Sequence, residues 1–194
     1  LRGASIPLTG GTEASGSNVL LQLLVLILLI LLNAFFAASE IAIISLNDTK
    51  IKKMAEEGHK QAKKLLKLKK NTSDFLATIQ VGVTLAGFLS SASAAQSFSQ
   101  PLAQALSFLP FSAGAVQNIA TVLVTLILSY FSLVLGELVP KKIAMQRAEQ
   151  LSLKAVDVLR FVATVFKPFI WFLSLSTNFV IKLLGFDPNA GEEA

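Results

Sequence analysis

Cysteine is absent from the 194 residues, and histidine occurs once. The first absence removes disulfides, thiolate metal sites and a thiol nucleophile together. The second removes histidine clusters and leaves hydroxyl nucleophiles without the usual base. No glycine-rich phosphate loop is present either, so the sequence predicts no enzyme, and His59, set among lysines, reads as solvated. Charge is also scarce: 15% of residues are charged against 53% hydrophobic, which is not the balance of a water-soluble domain. From residue 75 to residue 136 there is no charged side chain, a gap of 62 residues. At about 20 residues per crossing this leaves room for two spans and a loop. The expected class is an all-α integral membrane protein.

The little charge there is lies in clusters. The net charge of +5 would suggest nucleic acid in a soluble domain, but nine of the seventeen basic residues are lysines between Lys50 and Lys70. In a membrane protein such a cluster marks the cytoplasmic side. The reading is a multi-pass plasma-membrane protein with its N-terminus outside and no nucleic-acid partner.

Residues 1–18, rich in Gly, Ser and Thr, read as a flexible extracytoplasmic tail. The run that follows is too apolar and too long for a signal h-region and predicts a first span at about 19–46. Between residues 50 and 70, Ile51, Met54, Ala55, Ala62, Leu65 and Leu66 recur at steps of three and four with lysines on the other side, and Gly58 is a break. This predicts juxtamembrane helices lying along the inner surface, with their apolar face in the acyl boundary and lysines near anionic lipid. Asn71, Thr72, Ser73 and Asp74 cap a second span at about 75–97, rich in small residues that let helices approach closely. A turn with a short interfacial helix around Pro101 and Pro110 leads to a third span at about 116–139, ending in "GELVPKK". Residues 147–185 are apolar but interrupted by Arg160, Lys167 and Pro168. A central lysine costs about 2.5–3.5 kcal/mol on insertion scales, so a short helix at 148–156 and a bent helix or helix pair at the inner interface are expected rather than a fourth span. Residues 187–194 read as a linker.

Polar groups inside the spans are the functional candidates: Asn33, Ser39 and Glu40 in the first, Gln80, Ser90 and Ser91 in the second, Gly136, Glu137 and Pro140 at the end of the third. Asn33 and Glu40 are seven apart and share a helix face. Pro140 lacks an N–H, which deprives the Gly136 carbonyl of its helical partner. Carbonyls, a carboxylate, hydroxyls and an amide oxygen are what a hard cation such as magnesium accepts. Asn33 is equally explained by a bond to a neighbouring helix, and the serines by bonds to their own i−4 carbonyls. Glu40 and Glu137 lie near the inner boundary, where a carboxylate reaches water or pairs with Lys141; that explains Glu40 equally well, while for Glu137, flanked by Gly136 and Pro140, a functional role is the preferred reading.

Three stretches in this order, "NAFFAASEIAIISL", "FLATIQVGVTLAGFLSS" and "LVLGELVPKKIA", resemble the transmembrane domain of the CNNM/CorC family over about residues 20–185. The resemblance implies a homodimer linked to magnesium transport, in some members as sodium-coupled export. It also implies three spans with a cytoplasmic helical belt, and a CBS-domain pair after the linker. By position it assigns magnesium to Ser39, to the region from Gly87 to Ser91, and to Gly136 and Glu137. One departure stands out: Val83 and Gly87 occupy positions where many relatives carry amides. Ser90, Ser91, a backbone carbonyl or water is then expected to supply the missing ligand. The leading reading is therefore a divalent-cation transporter with an inward-open cavity. Its competitor is a non-transporting membrane scaffold or regulator of cation homeostasis; a membrane-lytic role, suggested by the "hemolysin" label of some relatives, fits poorly with helices so rich in small packing residues.

Overall fold

The computed structural model describes residues 13–70 and 72–187. The expected linker from residue 188, the tail up to residue 12 and Asn71 of the cap cluster lie outside the described residues. Among those described, every regular element is helical: α1 (Glu13–Ile44), α2 (Asp48–Glu56), α3 (Lys60–Lys70), α4 (Thr72–Ala105), α5 (Ala113–Leu133), a π-helical turn (Val134–Leu138), α6 (Val139–Gln146) and α7 (Ala148–Leu183). α1 begins inside the stretch read as a tail and runs unbroken through Asn33, Ser39 and Glu40. Isolated polar residues do not stop a helix whose backbone has no other hydrogen-bond partner in an apolar medium.

Local chemistry sets most boundaries. The Asn47 side chain accepts from the Lys50 N–H at 3.1 Å and caps α2. That helix stops at Gly58, whose φ of +96° only glycine adopts freely, with the His59 N–H donating to the Met54 carbonyl. His59 then caps α3, its Nδ1 accepting from the Ala62 N–H at 3.4 Å. α5 starts at Ser112, which accepts from the Ala115 N–H, and α7 ends in the same glycine motif at Gly185, φ +81°.

Two boundaries depart from the sequence reading. α4 does not stop near residue 97 but continues through Pro101 to Ala105, and no separate interfacial helix follows it before α5. Phe98 and Leu102 pack against the buried cluster of Leu26, Ala94 and Val124, and this packing holds the last turns despite the lost donor. α7 is likewise one continuous helix of 36 residues with Pro168 inside it, not a short helix followed by a bent one. The sequence predicts three spans. Among the described residues, four stretches are long and apolar enough to cross a membrane by length and composition: Val19–Ile44, Phe75–Ala105, Ala113–Gln146 and Ala148–Leu183. All four leave large apolar side chains on the outside, among them Leu28, Phe88, Leu126 and Phe172, as lipid-facing helices do.

The chain divides into two compact units, residues 1–37 with 83–142 and residues 38–82 with 143–194. In the first, α1, α4 and α5 meet at the Leu26 cluster. In the second, α3 packs on α7, with Ala62 and Leu65 of one helix and Ser152, Ala155, Val156 and Leu159 of the other buried. The apolar face of α3, expected against the acyl boundary, is thus covered by protein. Around it, Lys64 and Gln61 both bond Asp157, at 2.6 and 3.1 Å, Lys50 pairs with Glu149 at 2.5 Å, and Lys69 pairs with Asp48. These pairs are half-exposed and each contributes less than about 1 kcal/mol, so packing dominates. Leu65→Ala is expected to lower unfolding free energy by about 2–5 kcal/mol and Lys64→Ala by less than about 1 kcal/mol, measured by chemical denaturation in detergent. Equal losses would mean that the ion pairs, not the buried face, hold α3 in place.

Candidate functional site

The first unit contains an open cleft of about 390 Å³. Its lining includes Asn33 of α1, Gly87 and Ser91 of α4, Ser129 and Ser132 of α5, and Glu137 of the π turn. Thr84 and Val83 lie on the same stretch of α4, with Phe88 as an apolar wall. Positions 84, 87 and 91 follow helical spacing, as do 129 and 132, so each helix offers one narrow polar stripe inside an otherwise apolar surface.

Asn33 is the most constrained of these residues. It is 4% exposed, and its carbonyl oxygen, Oδ1, is buried without a hydrogen-bond partner. A buried amide oxygen left unpaired costs about 1–3 kcal/mol. Its Nδ2 faces Gly136: a Cβ added there would lie 2.9 Å from Nδ2 and 3.4 Å from the Ile30 carbonyl oxygen. Only glycine permits this approach. Gly136 sits in the π turn, closed by the Val139 N–H donating to the Val134 carbonyl five residues back. An α-helical ladder would aim Pro140, which has no N–H, at the Gly136 carbonyl and press its ring on that oxygen. The wider turn precedes the proline, and such turns recur at functional sites.

The hydroxyls divide into two sets. Ser97, Ser99, Thr121 and Thr125 donate to their own i−4 carbonyls at 2.5–2.9 Å, the local role open to any helical serine or threonine. Among the described residues no such bond engages Ser91, Ser129 or Ser132. Glu137 Oε1 accepts from Lys141 Nζ at 2.9 Å, both side chains about one-third exposed. The pairing expected as the ordinary explanation of Glu137 is therefore present, and it offsets much of the cleft's negative charge.

Of the residues picked out from sequence, the cleft gathers Asn33, Gly87, Ser91 and Glu137, with Gly136 buried directly behind Asn33. Ser90 is buried and Pro140 half-buried in the same unit, and neither lines the cleft. Ser39 (buried), Glu40 (half-buried) and Gln80 (exposed) belong to the second unit. Thr84, Ser129 and Ser132 were not singled out by sequence reasoning. No signal in the sequence sets them apart from other serines and threonines at helical spacing. Val83 and Gly87, which replace amides of the resembled pattern, both line the cleft.

Residues 24–194 match the model of the cyclin M transmembrane N-terminal domain. The chain belongs to the CNNM family. A CNNM-type relative from Synechocystis, UPF0053 protein sll0260, is 34% identical over 87% of this chain and 38% of its own length. UPF0053 protein YrkA of Bacillus subtilis is 29% identical over 89% of the chain and 40% of its own. A Haemophilus influenzae protein named polyamine export protein is 24% identical over 83% of the chain and 37% of its own. The chain thus spans about two-fifths of the length of the curated relatives it matches.

Two glycines of this CNNM domain make a paired test. Gly136→Ala is expected to lose about 1–3 kcal/mol of stability through the clash with Asn33. Gly87→Ala, whose Cβ meets nothing within 4 Å, is expected to be neutral or slightly stabilising by helix propensity. Thermal unfolding in detergent distinguishes them; equal melting temperatures would remove the argument for a forced Asn33–Gly136 approach.

Proposed function

We propose that this chain carries a cation across the membrane through the cleft, with magnesium as cargo and sodium as coupling ion. The observation that carries this reading is that Asn33, whose Oδ1 is buried without a partner, lines one cleft with Glu137 and the unengaged hydroxyls of Ser91, Ser129 and Ser132. These are hard oxygen donors suited to magnesium, which keeps several of its waters. Six waters at about 30 Å³ each occupy about 180 Å³, less than the 390 Å³ of the cleft, so a hydrated ion fits without stripping. With a single carboxylate already shared with Lys141, binding is weak enough for release, as transport requires. Ser39, Glu40 and Gln80 would then act outside this cleft, Ser39 being the position to which the family resemblance assigns a ligand.

The reading extends to a homodimer in the plasma membrane, N-terminus outside, with cytoplasmic access to the cleft, the lysine-rich segment on the inner surface, and a CBS pair as the regulatory module of the longer protein. A second reading takes the cargo to be a polyamine, because relatives from Haemophilus influenzae and Salmonella typhimurium carry the name polyamine export protein. An elongated polycation would use the same oxygens and the Phe88 face.

Flux into liposomes tests both. Magnesium transport by the parent chain is expected to fall about tenfold or more in Glu137→Gln and Asn33→Ala, the loss of one charge-assisted or buried ligand each. Unchanged flux in both variants would overturn the assignment of the cleft. Transport of spermidine but not magnesium would favour the second reading, and transport of neither would leave a scaffold.

A further inference from the structure

A second, separate pocket of about 460 Å³ lies wholly within the other unit. Lys67 of α3 and Arg160 and Lys167 of α7 line it together with Thr164, Trp171 and Ser174, while buried Phe75 and Ile170 are apolar parts of its wall. Residues 160, 164, 167, 171 and 174 advance by four, three, four and three, so a single face of α7 carries two cations, two hydroxyls and the tryptophan. The packing of α3 on α7 adds the third cation.

Among the described residues the charges do not balance locally. Asp157 and Glu149 of α7 and Asp48 of α2 are taken by Lys64, Lys50 and Lys69. Among the described residues no carboxylate pairs with Lys67, Arg160 or Lys167. Three like charges converging on one pocket repel one another unless an anion sits among them. The Thr164 hydroxyl donates to the Arg160 carbonyl at 2.8 Å, and the guanidinium, the two ammonium groups and the Ser174 hydroxyl match the oxygens of a phosphate group. Its depth is informative as well. Phe75 opens the apolar stretch of α4, and tryptophan favours the level where hydrocarbon gives way to headgroups.

We propose that this pocket seats the phosphate headgroup of one anionic phospholipid. The site is discrete, in contrast to the diffuse attraction of the lysine-rich segment, and independent of what the cleft carries. Occupancy also explains how Arg160 and Lys167 are accommodated in an apolar helix of 36 residues: both cations reach phosphate rather than acyl chain.

Trp171 is the only tryptophan of the chain, so its fluorescence reports on this pocket alone. In phosphatidylcholine vesicles, phosphatidylglycerol brominated on its acyl chains is expected to quench Trp171 well beyond its share of the lipid, whereas brominated phosphatidylcholine quenches in proportion. Lys167→Ala and Arg160→Ala should each reduce that preference about fivefold. Arg160→Lys, which keeps the charge, should retain part of it and guard against misfolding. Lys154→Ala and Lys182→Ala, on the same helix outside the pocket, should leave it in place. Equal quenching by the two lipids, or equal losses in the Lys154 and Lys182 variants, would overturn the proposal. Inorganic phosphate at matched ionic strength separates the sources: an undiminished preference supports a lipid, and displacement of the brominated lipid would overturn it in favour of a soluble phosphate.

Discussion

A hydrocarbon interior offers no water to a polar group, and that constraint orders the whole chain. It forces the backbone into helices, because only there does each N–H find a carbonyl along its own segment. It makes every side-chain oxygen in a span either locally bonded or conspicuous. Ser97, Ser99, Thr121 and Thr125 take the local solution; Asn33 Oδ1 does not. The same constraint explains why α1 ignores its asparagine, serine and glutamate, and why the helix that begins as α5 widens before Pro140 instead of breaking.

The two units meet the constraint in different ways. In the first, a tight contact between Asn33 and Gly136 directs an amide to the edge of a polar cleft, and the pair of Glu137 with Lys141 keeps net charge low beside apolar walls. In the second, Lys50, Lys64 and Lys69 pair with acidic residues of α2 and α7, and Lys67, Arg160 and Lys167 line one pocket. Neither unit contains a group of three or more His, Asp or Glu residues able to hold a metal among the described residues.

Much of this was legible in the sequence where the cause is local. The charge-free stretch announced the membrane, Gly58 ended α2, and Ile51, Ala55, Ala62 and Leu65 are buried as their spacing predicts. The family followed from "NAFFAASE" and "GELVPK" read together. Features set by contacts between distant residues were not legible. The extension of α4 past Pro101 depends on what Phe98 and Leu102 touch. A serine at helical spacing reads identically whether it faces lipid, its own backbone or a cleft, so Ser129 and Ser132 carried no mark that Ser97 lacked. The π turn was foreshadowed only as a missing donor at Pro140.

The division into two units has a spectroscopic counterpart. The chain has one tyrosine and one tryptophan. Tyr130 lies on α5 in the first unit and Trp171 on α7 in the second, both more than half exposed. Each unit therefore carries its own single chromophore. Loss of order in one half of the molecule is optically separable from loss in the other, and whether the halves melt together can be read from the unmodified chain.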